Sequence, residues 1–141
     1  MDCCSPKPKR ITIETTVLNI DGATCERCSA TTVNARGVAD ELTIQLKPLG
    51  VEVSLVEHAA AMGNLTQSNS VLINDKPIEE WLGATRVSTE CPSCCKLSGE
   101  ENVCCGAMLV DETVHESYTA DQIRRAALMA LSAVTGGKGC C

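Results

Sequence analysis

Apolar and polar residues alternate along residues 11–17 and again along residues 51–57. A period of two places the apolar side chains on one face of a sheet, so both stretches are predicted to be β-strands. Residues 70–74 form a short apolar run that predicts a buried third strand. Leu18 and Ile20 break the first alternation, which indicates either a bulge or a strand end that is buried on both faces.

Two other stretches carry apolar residues at helical spacing. The first covers residues 35–49, where Pro48 and Gly50 close the segment. The second begins at Thr119, a good N-cap, with Gln122 three residues later as in a capping box. Its apolar stripe consists of Ile123, Ala127, Ala130, Leu131 and Val134, and Gly136-Gly137 ends it.

The remaining segments suggest a domain organisation. Residues 1–10 are predicted to be a flexible, cysteine-containing arm, and residues 136–141 a mobile Cys-Cys tail. Residues 11–135 form the domain, in which 85–117 follow no regular pattern and are interpreted as a Cys-rich insertion. Long loops without structure are uncommon in compact domains, so we expect this insertion to be held by a metal ion or by the face of the domain.

Composition excludes several function classes. The net charge is −6, and Trp81 and Tyr118 are the only aromatic residues, so the chain offers neither a phosphate-binding stripe nor a base-stacking platform. Nucleic acid is therefore not an expected partner. No apolar run approaches the roughly 20 residues that span a bilayer, and the N-terminal residues lack the apolar core of a signal peptide. We expect a cytoplasmic protein without membrane insertion.

Cysteine is the outlier, with 11 residues among 141. Chance placement predicts about one adjacent Cys-Cys pair, a rough estimate from composition. The chain has four: Cys3-Cys4, Cys94-Cys95, Cys104-Cys105 and Cys140-Cys141. Adjacent cysteines close a small, strained disulfide ring, so in a reducing cytosol they serve better as thiolate ligands.

Cys25 and Cys28 form a CxxC motif between the first strand and the first helix. A turn around Asp21 and Gly22 delivers the motif. The unpaired N–H groups of a helix N-terminus stabilise a thiolate, and Arg27 adds a nearby cation. Both disulfide exchange and metal binding use the thiolate form, so these electrostatics leave both functions open.

A second group of cysteines lies within the insertion. Its CxxC with an internal proline is similar to a zinc knuckle, and the following doublet could complete four-sulfur coordination. An iron–sulfur cluster is also possible, although the spacing matches neither common ferredoxin pattern. Alternatively the segment is a chelating lid over the first motif. The residues are Cys91, Cys94, Cys95, Cys104 and Cys105.

Residues 11–84 and 118–135 resemble the thioredoxin-like superfamily, and more closely a cysteine-rich bacterial and archaeal branch with no assigned function. The segments that carry the resemblance are Thr24–Cys28, Leu46–Val53 and Val71–Glu79. It implies an α/β fold with a central mixed sheet flanked by helices. Thioredoxins place a cis-proline before the third strand, where it positions disulfide substrates and discourages metal binding. This chain has Ser68-Asn69-Ser70 there, which favours a metal role.

The tail supplies a second resemblance. Cys140-Cys141 is similar to the C-terminal cysteine pair of mercuric reductases, in which a mobile doublet passes the ion to a buried dithiol. The surrounding glycines give such a tail its reach. Transfer to another thiol protein is a further possibility.

These observations favour thiolate capture of a soft ion, with Hg(II) or As(III) ahead of Cu or Zn, and without an organic cofactor. The expected metal ligands are Cys25, Cys28, Cys91, Cys94, Cys95, Cys104, Cys105, Cys140 and Cys141. The main alternative is a thiol–disulfide oxidoreductase, in which Cys25 attacks and Cys28 resolves the mixed disulfide. Minor alternatives are an organomercurial lyase with Asp21 as the proton donor and a zinc-stapled adaptor.

Overall fold

The computed structural model describes residues 9–19, 22–60, 68–91 and 104–135. The predicted arm, apart from residues 9 and 10, and the predicted tail lie outside these ranges. In chain order the elements are β1 (Lys9–Leu18), α1 (Glu26–Leu46), a 3₁₀ turn (Lys47–Leu49), β2 (Val51–Ala60), β3 (Ser70–Ile73), β4 (Lys76–Pro77), α2 (Ile78–Leu82), β5 (Thr85–Glu90), β6 (Cys104–Val110), β7 (Thr113–His115) and α3 (Ala120–Thr135).

The first sheet has four strands in the order β2-β1-β3-β4. β1 and β2 are parallel and joined by α1, whereas β3 is antiparallel to β1 and β4 is antiparallel to β3. Asn74 and Asp75, both with positive φ, form the tight turn between β3 and β4. This mixed sheet with flanking helices confirms the expected α/β, thioredoxin-like fold.

The main core lies between this sheet and the two long helices. Ile11, Ile13, Val71 and Ile73 supply the buried residues of the sheet. Both predicted helical stripes contribute to this core, although Leu49 and Val134 of those stripes are exposed. From α1 the buried residues are Ala35, Val38, Ala39, Leu42 and Leu46, and from α3 they are Ile123, Ala126, Ala127 and Ala130.

The helix boundaries have identifiable causes. α1 begins with Cys25 as its N-cap, nine residues before the predicted apolar stripe, and Gly50 ends the following 3₁₀ turn with a φ of 73°. At α3, Thr119 Oγ1 accepts from the N–H of Gln122, and Gln122 Oε1 accepts from the N–H of Thr119. The predicted capping box is therefore confirmed. No helix within the described ranges is both long enough and apolar enough to cross a membrane.

Residues 85–91 and 104–117 contain a second sheet that the residue pattern did not predict. Its three antiparallel strands have the order β5-β6-β7. β6 is buried on both faces from Cys105 to Met108, so apolar positions do not alternate along it. Asp111 and Glu112, both with positive φ, form the turn into β7.

Candidate metal centre

Three buried cysteines from distant parts of the chain meet at one place. The sulfur atoms of Cys25, Cys91 and Cys105 all lie within 4.8 Å of one another. They belong to a small apolar cluster, separate from the main core, that also contains Cys28 and Leu18. Among the described residues, these four thiols are not joined to one another by disulfides. A group of three close thiols can hold a metal ion.

Cys25 enters the cluster as the N-cap of α1. Its sulfur accepts a hydrogen bond from the backbone N–H of Cys28, at 3.3 Å. Two contributions therefore favour negative charge on this sulfur: the direct N–H and the positive end of the helix dipole. The CxxC motif thus supplies an anion-stabilising position at Cys25.

Cys91 and Cys105 enter from the second sheet. Thr89 of β5 lies directly opposite Cys105 of β6, and Cys91 follows two residues after Thr89. Cys91 directly follows the last residue of β5, so the end of this strand brings Cys91 next to Cys105. The β5–β6 pairing therefore sets the spacing of two of the three sulfurs.

Arg27 is almost completely buried and lies where α1, which brings Cys25, meets the second sheet, which brings Cys91 and Cys105. Its Nη1 donates to Thr89 Oγ1 at 2.7 Å and to the Cys105 carbonyl at 3.3 Å. Its Nη2 donates to the Glu90 carbonyl at 3.0 Å and lies 3.2 Å from Glu116 Oε1. The predicted role of Arg27 was a nearby cation, and its observed contacts tie α1 to both cysteine-bearing strands.

Asn69 stands before β3, in the segment where thioredoxins carry their proline. It has a φ of 56°, a conformation that asparagine tolerates better than most residues. Its Oδ1 accepts from Thr31 Oγ1 at 2.5 Å, and its Nδ2 donates to the carbonyls of Gly106 (2.8 Å) and Glu116 (2.7 Å). The side chain therefore joins α1 to β6 directly behind Cys105.

A buried polar network continues from this point. Arg86 donates to the carbonyls of Ser68 and Asn69 and to the hydroxyl of Tyr118, each at 3.1 Å. The Tyr118 hydroxyl in turn donates to the buried carboxylate of Glu79. Burial first, and then the negative charge of Glu79, raise the pKa of Tyr118 far above its ordinary value. This network fixes the second sheet onto the thioredoxin-like sheet.

The structure brings together some of the predicted ligands. Cys25, Cys91 and Cys105 form the close trio, and Cys28 packs in the same apolar cluster. The backbone of Cys104 lies in β6, but its side chain is outside the described part of the structure, as are the whole residues Asp21, Cys94, Cys95, Cys140 and Cys141. Their predicted roles remain predictions.

Sequence reasoning missed the supporting residues Asn69, Arg86 and Gly106. A Cβ at Gly106 would lie 2.2 Å from Nη2 of Arg86, so this glycine leaves room for the guanidinium. Gly106 directly follows the Cys104-Cys105 doublet, and this adjacency was the one available signal in the sequence. The arginine that needs the space is 20 residues away, and only the fold relates the two positions.

The fold and the site define a class: an α/β, thioredoxin-like domain with a buried three-cysteine cluster where α1 meets a second sheet. Residues 11–127 match a family described as a domain of unknown function, DUF2703, and the chain belongs to this family. It is 34% identical over 118 residues to an uncharacterised protein of Archaeoglobus fulgidus, covering 81% of this chain and 82% of that protein. No solved structure matches the chain.

Proposed function

We propose that this domain captures a soft metal or metalloid ion through the thiolates of Cys25, Cys91 and Cys105, as a cytosolic detoxification or trafficking protein. The observation that carries the proposal is the placement of three buried sulfurs within 4.8 Å of one another. Three sulfurs that share one ion at about 2.3 Å each lie at most about 4.0 Å apart, and closer still when the ion is pyramidal. The trio is therefore near a binding geometry and would contract slightly around the ion.

The number of ligands and their surroundings favour As(III) over Hg(II). Three thiolates suit a pyramidal trivalent ion, whereas Hg(II) is satisfied by two. Three thiolates and one trivalent ion also form a neutral complex, while a divalent ion leaves one net negative charge. A neutral complex suits the apolar lining of Leu18 and partly buried Val17, whereas a negative complex would rely on the buried guanidinium of Arg27 for compensation. Zinc, in contrast, would require a fourth ligand beyond the trio.

The test is a titration of the reduced protein with arsenite, Hg(II), Cu(I) and Zn(II), with stoichiometry read by native mass spectrometry. Cys91→Ser and Cys105→Ser should each weaken arsenite binding at least tenfold, because the remaining pair lacks the third bond. Cys140→Ser/Cys141→Ser is the matched control that leaves the trio intact. Arsenite binding that is unchanged in both single variants would rule out the trio, and tight uptake of zinc alone would favour the zinc-stapled adaptor.

Thiol–disulfide exchange is the second candidate, because Cys25 occupies the N-cap of α1 in a CxxC motif. Against it, Cys25 and Cys28 are both almost fully buried, whereas an attacking thiolate must reach its substrate. The two candidates differ in which cysteine they require. An exchange enzyme loses turnover of a small disulfide in Cys28→Ser and not in Cys91→Ser. An ion trap instead loses arsenite affinity in Cys91→Ser and not in Cys28→Ser.

The position of α3 bears on the predicted tail. Tyr118 bonds near the start of α1, to Thr31, and Arg124 pairs with Glu41 further along, so α3 runs parallel to α1. The end of α3 therefore lies towards the side of the domain away from Cys25. On this ground we propose that Cys140-Cys141 exchanges the ion with another molecule.

A further inference from the structure

We infer that Arg27 is the positioning residue of the three-cysteine cluster: it holds the Cys91 and Cys105 strands against Cys25, so that the third sulfur is in place before the ion arrives. This inference rests on the proposed ion-binding function and assigns a specific task to a residue that is not itself a ligand.

The acceptors of Arg27 adjoin the two distant ligands. The carbonyl of Glu90 immediately precedes Cys91, and the carbonyl of Cys105 belongs to a ligand residue itself. Thr89 Oγ1 lies on the β5–β6 rung that contains Cys105. A single guanidinium therefore fixes the backbone of both strands at the positions from which the sulfurs project.

The same residue is anchored to the first ligand through α1. Arg27 follows Cys25 by two residues, within the first turn of the helix. Its carbonyl accepts a hydrogen bond from the Ser117 hydroxyl at 3.3 Å, and its guanidinium pairs with Glu116. The side chain of Glu116 is 66% exposed and that of Arg27 only 5%, so the backbone and hydroxyl acceptors, rather than the ion pair, dominate its fixation.

Lysine cannot reproduce this arrangement. The planar fork of arginine presents five donors, and here it serves several acceptors in different directions. Lysine keeps the positive charge but acts as a compact point charge on a flexible chain. Arg27→Lys therefore separates charge from positioning, and removing a residue that orients metal ligands typically costs about 10–100-fold in metal affinity.

The experiment compares Arg27→Lys with Arg124→Lys in the full chain. Arg124 is a matched control, because it forms a two-point pair with Glu41 away from the cluster. Thr89→Val is the second variant, since it removes one acceptor and leaves the arginine and the side-chain shape in place. Three quantities are measured for each: the arsenite dissociation constant, the arsenic–sulfur coordination number by X-ray absorption, and the thermal midpoint.

Arg27→Lys should bind arsenite about 10–100-fold more weakly, with the sulfur number falling from three towards two. Thr89→Val should lose roughly threefold to tenfold, as expected for one hydrogen bond. Arg124→Lys should retain the wild-type affinity and sulfur number. The coordination number separates positioning from general destabilisation, because a variant that is only less stable but folded at the assay temperature still supplies three sulfurs.

Two kinds of failure are distinguishable. If the wild-type chain does not bind arsenite through three sulfurs, the proposed function fails and Arg27 has no cluster to position. If the wild type does bind so, and both Thr89→Val and a folded Arg27→Lys keep three sulfurs and wild-type affinity, the inference about Arg27 is overturned. Should Arg27→Lys not fold, Thr89→Val alone decides.

Discussion

Gly106 directly follows Cys105 in the chain and lies against the guanidinium of Arg86, at the junction of the two sheets. The guanidinium of Arg86 fills the position of a missing Cβ and from there reaches the carbonyls of Ser68 and Asn69. A side chain at Gly106 would displace the guanidinium. The buried carbonyls would then lose these hydrogen bonds.

Gly106→Ala should therefore destabilise the domain by about 1–3 kcal/mol, through overpacking and lost hydrogen bonds. Gly37→Ala is the matched control, since a Cβ at this exposed position of α1 meets nothing within 4 Å. Alanine is a better helix former than glycine, so this variant should gain about 0.5–1 kcal/mol. Urea unfolding followed by Trp81 fluorescence measures both. Equal effects of the two substitutions would contradict the role assigned to Gly106.

The residues of the site differ in how far their roles could be predicted from the sequence. Cys25 was identifiable because its CxxC motif follows a strand and precedes a helix, a local pattern. Arg27 was recognised as a cation beside that motif, but its acceptors lie more than 60 residues away. Asn69 was noticeable only because Ser68-Asn69-Ser70 stands where thioredoxins carry their proline, and its contacts with Thr31 and Gly106 depend on the tertiary fold.

At the level of elements, α3 is the best specified by local sequence. In its capping box, the backbone N–H of Gln122 donates to Thr119 Oγ1 and the backbone N–H of Thr119 donates to Gln122 Oε1. Helix N-termini leave N–H groups without intrahelical partners, and the threonine hydroxyl satisfies one of these. Tyr118 immediately precedes this cap, so the cap stabilises the attachment of the second sheet.

Thr119→Ala should lower stability by about 1 kcal/mol, because the cap is lost and alanine offers no acceptor. Thr43→Ala provides the comparison. Thr43 lies inside α1, where its hydroxyl donates to the Ala39 carbonyl, and alanine at such a site is neutral or stabilising. Thermal unfolding by circular dichroism distinguishes the two. A Thr119→Ala protein as stable as Thr43→Ala would show that the capping box contributes nothing.

The elements differed in how well their patterns predicted them. β1, β2 and β3 have one buried face or a short apolar run, and these patterns were sufficient. β6 was missed because it is buried on both faces from Cys105 to Met108, and its run of small, apolar and cysteine residues has no period of two. β5 was missed because its residues are polar except Val87, and none of them is fully buried. Cysteines in that run indicated a ligand set more strongly than a strand.

For the molecule as a whole, one buried network connects the two sheets through Glu79, Tyr118 and Arg86. The raised pKa of Tyr118 means that the folded protein holds the phenol proton more tightly than the unfolded chain, whose tyrosine titrates near pH 10. The resulting stabilisation is fully present below pH 10. It decreases as the pH rises above 10, because only the unfolded state then releases the proton.

Tyr118 is the only tyrosine, so its phenolate absorbance reports this residue alone. In an alkaline titration the absorbance should stay flat through pH 10 and rise only together with unfolding, which Trp81 fluorescence follows independently. Tyr118→Phe should remove the tyrosine-dependent steepness of alkaline unfolding. A phenolate signal that develops around pH 10 while Trp81 fluorescence stays unchanged would contradict the buried network.

The assembly of the site is a property of the whole fold. The cysteine spacing indicated either a four-sulfur site within the insertion or a chelating lid over Cys25 and Cys28. Among the cysteines whose side chains the structure describes, Cys25, Cys91 and Cys105 lie together. Strand pairing and the helix N-terminus bring these three together, and neither relation is visible in cysteine spacing.

X-ray absorption at the arsenic edge of the one-to-one arsenite complex tests the central claim most directly. The three-thiolate account predicts three sulfur neighbours in the wild-type chain and in Cys140→Ser/Cys141→Ser, and two or fewer in Cys25→Ser, Cys91→Ser and Cys105→Ser. Two sulfur neighbours in the wild type, or three that persist in each of these single variants, would contradict it.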